Sequence, residues 1–212
     1  MKTISFAHRA LELEYPATSA PAWAAEVERW YQLDTCAYVL TAAYSAWKGE
    51  LSPPARIYLA STGASNRTDR AFAATGATSP TRFVHTLPNI RASSLLQVMD
   101  WNGPVFSLHR DPFTLGLALG EALHFTAENS AAPAWVFYPE LVPDSLETPV
   151  KTTIRVHLWI AGNLGSLGAT HLAASAVNDK KFSNDHDIFA WLRGARGEAL
   201  PLGQGWLLQK LD

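Results

Sequence analysis

The chain has 212 residues, of which 48% are apolar or aromatic and 17% are charged, and this composition excludes a long disordered or fibrous protein. Seventeen basic residues face nineteen acidic ones, and the net charge of −2 predicts no affinity for nucleic acid or for an anionic membrane. A single cysteine, Cys36, excludes an internal disulfide framework and a multi-cysteine zinc site. The length indicates one domain over residues 1–212, with two small domains as the alternative.

The N-terminus carries no complete targeting signal. Residues 1–7 begin like a secretion signal, but His8 and Arg9 interrupt the apolar run at once. No stretch of about 18 apolar residues predicts a membrane-spanning helix. We therefore expect a cytoplasmic protein, and its eight tryptophans favour one that contacts another protein.

The first third of the chain predicts helices followed by a strand and a long loop. Pro21 opens a stretch with apolar residues at helical spacing, namely Trp23, Val27 and Trp30. Asp34 is placed to cap a second helix, or the same helix continued, and Gly49 ends it. Residues 56–60 predict a short buried strand, and the small and polar residues of 61–81 predict a loop, with or without one short helix.

The central run from 104 to 138 predicts a strand, a buried helix and a second strand. Residues 104–108 form the first strand, and the second covers 135–138. Between them, Asp111 as N-cap and Pro112 at the first helical position predict a helix start. The helix is apolar on every face, which is typical of a helix inside the domain; its apolar residues include Phe113, Leu115, Leu117, Leu119, Leu123 and Phe125.

The last third predicts smaller elements. Residues 153–160 read as a strand, 187–193 as a short helix that Gly194 stops, and 206–208 as a last strand. Strands that alternate with helices predict an α/β fold with a mainly parallel sheet and a buried central helix.

Few residues offer obvious chemistry. Cys36 lies in an apolar stretch without a neighbouring histidine, which indicates a buried structural cysteine. The sequence has no phosphate-binding glycine motif and no Gly-x-Ser-x-Gly, so we expect neither a nucleotide cofactor nor the common serine hydrolase site. His109 and Asp111 share a strand face and form a candidate acid/base pair, with His85 as a further member; a strand end followed by a helix cap is the alternative.

No two histidines have metal-ligand spacing, so we expect no metal site. Residues 184–187, Asn-Asp-His-Asp, contain groups able to hold a cation. Helix capping explains the same residue types and is the preferred interpretation.

An ordered series of motifs runs from residue 79 to residue 122. Ser-Pro-Thr-Arg-Phe begins at Ser79, His-Thr-Leu-Pro-Asn ends at Asn89, Gly103 opens a Gly-Pro turn, and a buried helix with Ala118 and Ala122 follows. The series resembles the N-terminal half of β-ketoacyl synthases, and the resemblance covers about residues 20–142. It implies half of a thiolase-like fold, to which residues 143–212 add extra strands and a short helix.

The chain departs from this family at the nucleophile. Counting from Gly103, Pro112 stands where the family has its cysteine at the start of the buried helix. A thiolate there is stabilised by the helix dipole and attacks an acyl thioester, and proline has no such group. The chain is also too short for a full copy of the second half, which carries the family's assisting histidines.

A half-length, ketosynthase-like chain without a nucleophile resembles a chain-length factor, as in aryl polyene biosynthesis. The resemblance implies a non-catalytic subunit that pairs with an active ketosynthase, with an acyl carrier protein as an indirect partner. Because half a fold lacks the cover for one sheet face, we expect the partner to supply it. The family's partner-facing and tunnel-lining segment corresponds here to Phe83, Leu87, Asn89, Ile90, Ser93 and Leu96.

Two other readings remain open. One is a small standalone enzyme for acyl transfer or hydrolysis that uses His109 and Asp111, with His85. The other is an unrelated α/β binding module.

Overall fold

The structure is a computed structural model that describes residues 2–61, 72–74, 87–129, 133–141, 152–162, 167–171, 183–194 and 199–210. The eight strands are β1 (Lys2–Tyr15), β2 (Arg56–Ala60), β3 (Val105–Leu108), β4 (Ala134–Pro139), β5 (Thr152–Ala161), β6 (Leu167–His171), β7 (Ala199–Gly203) and β8 (Trp206–Lys210). The helices are α1 (Thr35–Trp47), α2 (Ser93–Met99), α3 (Thr114–Glu128) and α4 (Asp185–Leu192). Short 3-10 helices cover Ala22–Ala25, Trp30–Gln32, Lys48–Glu50 and Pro88–Ala92.

All eight strands form one mixed sheet in the order β3-β2-β4-β5-β1-β6-β8-β7. Only β2 pairs in parallel, with β3 and with β4, and the other neighbours are antiparallel. The α/β class is confirmed, but the prediction of a mainly parallel sheet is wrong. Parallel neighbours need a long crossover, and helical crossovers link β2, β3 and β4, whereas β4 leads to β5 and β7 leads to β8 without a described helix between them.

Strand β1 lies inside the sheet, between β5 and β6, although the sequence predicted no element there. Its side chains alternate: Ile4 and Phe6 face one core, and Leu11 and Leu13 pack against the other. His8 and Arg9, which interrupt the apparent secretion signal, are therefore polar positions within the long strand β1.

Two apolar cores lie on opposite faces of the sheet. On one face, α3 and α4 pack over β2, β4 and the ends of β1 and β5. On the other, α1 and α2 cover β4, β5 and β2. The expectation that one face lacks cover is therefore wrong, because helices of this chain cover both faces.

Helix α3 confirms the predicted buried central helix. Its apolar residues Leu115, Ala118, Leu119, Ala122 and Leu123 are fully shielded from solvent. Burying a leucine side chain stabilises the fold by about 1.5–3 kcal/mol, so this helix contributes much of the first core.

The helical stretch predicted from Pro21 is wrong, because only the two 3-10 turns form there. Arg29 has a φ of 57°, in the left-handed region, which interrupts any continuous helix. The next prediction is confirmed: Asp34 caps α1, and its carboxylate accepts a hydrogen bond from the Ala37 amide at 2.8 Å.

The C-terminal third confirms β5, α4 and β8, but β6 and β7 were not predicted. Both carry residues that are rare in strands, with Gly168 in β6 and Pro201 in β7. Their pairing partners hold them in the sheet. Gln204 and Gly205 join β7 to β8 with φ values of 52° and 79°, the tight-turn geometry that suits a two-residue hairpin.

Candidate functional site

The predicted partner-facing segment forms one continuous helical stretch beside β3. Leu87 precedes the 3-10 helix Pro88–Ala92, which contains Asn89 and the half-buried Ile90. Ser93 is exposed at the start of α2, and Leu96 is half-buried against the second core. Phe83 lies outside the described residues.

The neighbouring strand β3 is the first strand of the sheet and pairs only with β2 among the described strands. Phe106 on β3 is 40% exposed and Leu87 is 44% exposed. Tyr58 stacks on Phe106, and the Arg56 guanidinium lies 4.1 Å from the centre of the Phe125 ring. An open strand edge with exposed apolar side chains is a surface suited to another chain. We call this surface, β3 with residues 87–96, the β3 edge.

The position that the resemblance assigns to the nucleophile, Pro112, lies just before the N-terminus of α3. Pro112 is exposed. The sequence predicted that the helix starts at Pro112, but it starts at Thr114. A turn in which the Phe113 amide donates to the Arg110 carbonyl comes first. Asp111 therefore does not act as the predicted N-cap.

The N-terminus of α3 is instead capped by a distant residue, Asp185 at the start of α4. Its Oδ1 accepts a hydrogen bond from the Leu115 amide at 2.8 Å, and its own amide donates to the Pro112 carbonyl at 2.8 Å. Burial raises the pKa of the Asp185 carboxyl to about 6, against the opposing effect of amide groups at the helix start. A buried carboxyl group thus occupies the start of α3, the place that the resemblance in the sequence assigns to the family's thiolate.

The chain comes close to α3 just before α4 begins. A Cβ atom on Gly116 would lie 3.4 Å from the Ser183 carbonyl oxygen, at the lower limit of ordinary van der Waals contact. Asp185 belongs to the Asn-Asp-His-Asp run that predicted a helix cap, but no local pattern indicates that it caps α3 rather than its own helix, α4.

Cys36 is buried in α1, as predicted for a structural cysteine. Burial is the main cause that raises the pKa of its thiol above the ordinary value. A thiol held in this state is a poor nucleophile.

The predicted acid/base pair of His109 and Asp111 is not assembled. His109 Nδ1 donates to the Ser61 carbonyl at 2.7 Å, and within the described ranges no hydrogen bond or ion pair joins the imidazole to the Asp111 carboxylate. Both side chains are exposed. His85 lies outside the described residues.

Residues 184–187 form a helix cap, as preferred from the sequence. Asn184 Oδ1 accepts from the Asp187 amide at 2.8 Å, and Asp187 Oδ2 accepts from the Asn184 amide at 3.3 Å. This reciprocal arrangement is a capping box.

A histidine pair that the sequence did not predict lies on β1 and β5. His157 Nε2 donates to Glu140 Oε1 at 2.6 Å, because a carboxylate can only accept. In neutral His157 the Nδ1 atom is then an acceptor, and His8 Nε2 donates to it at 3.0 Å. His8 and His157 are 149 residues apart, so their contact follows from the pairing of β1 with β5 and from no local motif.

Burial keeps both imidazoles neutral. It lowers the pKa of His8 to about 4, assisted by the proximity of His157. It also lowers the pKa of His157, against the opposing effect of Glu140.

His8 and His157 line a cleft of about 440 Å³. A neighbouring cleft of about 650 Å³ shares four of its lining residues and reaches Asp185 and His186. We call the first one the histidine cleft; its lining includes His8, Glu12, Arg155, His157, Phe189 and Arg193.

Two further features are absent from the described part of the chain. No group of three or more histidine, cysteine, aspartate or glutamate side chains is arranged to hold a metal ion. No described helix combines the length and the apolar character needed to cross a membrane.

Comparisons with known proteins give a structural match and no sequence match. No protein-family model matches the chain, and no curated protein matches it. Among solved structures, the chain is similar to one from the complex of a ketosynthase, ApeO, with its chain length factor, ApeC, from Xenorhabdus doucetiae. The TM-score is 0.59 at 15% identity, and the match covers 99% of this chain and 100% of the other. The predicted resemblance is thereby confirmed at the level of the fold.

Proposed function

We propose that this chain is a non-catalytic, ketosynthase-like chain-length factor that acts as one domain and adopts half of a thiolase-like fold. The observation that carries the proposal is the structural match over nearly the whole of both chains. Two chains that cover each other so fully have about the same length, which favours the short subunit type over a full ketosynthase. The matched complex pairs a ketosynthase with its chain length factor, and the sequence resemblance adds the assignment to aryl polyene or related fatty-acid and polyketide-type biosynthesis.

The absence of a catalytic role is supported by the start of α3. Pro112 has no nucleophilic side chain, and the Asp185 carboxylate caps the helix terminus. A negative charge at this terminus opposes the formation of a second anion beside it. Cys36 is buried in another helix and offers no substitute.

The partner in this proposal is an active ketosynthase that docks on the β3 edge. Its exposed groups include Leu87 and Phe106, and a partner strand would pair with the side of β3 that none of the described strands occupies. Phe83, Asn89, Ile90, Ser93 and Leu96 would then line part of the partner's acyl tunnel and limit the product's length by steric exclusion. An acyl carrier protein takes part only through the ketosynthase.

The proposal is tested by co-expression with a ketosynthase from the same source, followed by size-exclusion chromatography and a condensation assay. We expect co-elution and an activity that requires both chains. The activity survives Pro112→Ala and Cys36→Ala, because neither residue takes part in the chemistry.

A matched pair of variants locates the interface. Leu87→Glu places a charge on the β3 edge and abolishes co-elution, whereas Tyr31→Glu changes an even more exposed apolar residue elsewhere and leaves it intact. A monomer that never binds a ketosynthase contradicts the proposal and leaves the binding-module reading.

A further inference from the structure

The histidine cleft is separate from the β3 edge, and the proposed subunit pairing gives it no role. Its acidic groups all have partners. Glu12 forms an ion pair with Arg155, Glu140 accepts from His157, and Asp185 in the neighbouring cleft caps α3. The ion pair offsets the charge of Glu12, and the hydrogen bonds occupy one acceptor oxygen each of Glu140 and Asp185.

One cation in the cleft has no such partner among the residues that the structure describes. Arg193 follows α4 and lies near enough to His157 to lower the pKa of that imidazole. Within the described part of the chain, the Arg193 guanidinium makes no hydrogen bond or ion pair. Its side chain lines the cleft, and a guanidinium fork matches the two oxygens of a carboxylate.

The cleft also contains a prepared acceptor. His157 donates to Glu140, and His8 donates its Nε2 proton to His157. Because neutral His8 carries only that proton, its Nδ1 atom keeps a lone pair and is an acceptor. Trp159 packs on the His8 ring and Phe189 on the His157 ring, each with centroids 4.6 Å apart. Rings held in this way present the acceptor without further ordering cost.

We propose that the histidine cleft binds a small hydroxycarboxylate, whose carboxylate pairs with Arg193 and whose hydroxyl donates to His8 Nδ1. A volume of about 440 Å³ lies in the range of small-molecule sites. Glu12 and Glu140 beside the site disfavour a dianion such as phosphate and favour a single negative charge. The proposal is independent of the partner assigned above.

The test compares glycolate with acetate, which has the carboxylate and lacks the hydroxyl. Binding to the full chain is followed by NMR titration, with the imidazole ¹⁵N shifts of His8 as a direct readout. We expect glycolate to bind about tenfold more tightly than acetate, since one hydrogen bond is worth about that factor. The His8 Nδ1 resonance should move with glycolate and stay in place with acetate.

Three variants separate the two contacts. Arg193→Gln should weaken both ligands about tenfold, whereas Arg29→Gln, the same change at an exposed arginine outside the cleft, should have no effect. His8→Phe keeps an aromatic ring on Trp159 and should remove the preference for glycolate while leaving acetate binding intact.

Two outcomes overturn the proposal: equal affinity for both ligands, or glycolate binding that Arg193→Gln does not weaken. Failure of glycolate to bind the unaltered chain at about 50 mM also overturns it, because that limit lies well above the Kd of a specific small-ligand site. The ¹⁵N readout on the unaltered chain decides the role of His8 even if the phenylalanine variant does not fold.

Discussion

Replacing Asp185 by asparagine should change how the stability of the chain depends on pH. Asp185 is 6% exposed, and its Oδ1 holds the Leu115 amide at the start of α3. Burial raises the pKa of its carboxyl group from 3.8 to about 6. Asparagine keeps an oxygen that can accept the same hydrogen bond, but it does not ionise.

The magnitude follows from the difference between the folded and unfolded pKa values. About two pK units correspond to ~3 kcal/mol of free energy. Because the folded pKa is the higher one, the folded state favours the protonated form, and this contribution to stability is present below about pH 4. It is lost as the pH rises through about 6, where the carboxyl ionises in both states and the buried charge becomes a cost.

The assay is urea unfolding, followed by tryptophan fluorescence, of the wild type and Asp185→Asn at about pH 4.5 and about pH 7.5. The free energy of unfolding of the wild type, relative to the variant, should fall by ~2 kcal/mol between these pH values, because part of the ~3 kcal/mol is already lost at about pH 4.5. Contributions from His8 and His157 are common to both proteins and cancel in the difference.

A second variant tests the capping bond itself. Asp185→Ala removes the acceptor and leaves the Leu115 amide unsatisfied, so it should be about 1–3 kcal/mol less stable than Asp185→Asn at either pH. If the free-energy difference between the wild type and Asp185→Asn is the same at both pH values, burial does not raise the folded pKa of the Asp185 carboxyl. That result would refute the reasoning.

Three further predictions concern other parts of the fold. The wild type should lose the stability that neutral His8 contributes when the pH falls from about 6.5 to about 4, because the folded pKa of His8, about 4, lies below its unfolded value; the free energy of unfolding of the wild type relative to His8→Phe should therefore fall by up to ~3 kcal/mol in urea titrations, and an unchanged difference would contradict it. Leu119→Ala should destabilise the chain by about 2–5 kcal/mol, since Leu119 is fully buried in α3. Leu117→Ala, on the partly exposed side of the same helix, should lower the free energy of unfolding by less. Equal losses in urea unfolding would contradict the packing of α3 described above. Cys36 should react with a thiol reagent such as Ellman's only in urea, because its thiol is buried and its pKa is raised; rapid reaction of the native chain would disprove the burial.

Local signals predicted the elements that local interactions specify. The Asp34 cap, the apolar run of α3 and the stop at Gly194 each act within a few residues, and the structure has α1, α3 and α4 in these regions. The strand, helix and strand from β3 to β4 follow the predicted order for the same reason.

Long-range pairing specifies what the sequence analysis missed. β6 and β7 have weak strand propensity and are held by their neighbours, so no window of the sequence predicts them. The contact between His8 and His157 depends on the register of β1 with β5, and the cap on α3 comes from Asp185, 70 residues after Leu115. The spacing of His109 and Asp111 along a strand predicted an acid/base pair, but the His109 Nδ1 atom donates to the Ser61 backbone carbonyl instead.

The position of β1 affects how the chain folds while it is being synthesised. β1 leaves the ribosome well before its two sheet neighbours, β5 and β6, which lie within residues 152–171. The parallel unit of β2, β3, β4 and α3 can collapse on its own before then, whereas β1 must wait with apolar residues on both of its faces. Contacts so distant in sequence slow folding and prolong the exposure of a strand that can pair with other nascent chains. Slow production at low temperature, or with a chaperone present, should therefore raise the yield of folded protein more than any change to the helices.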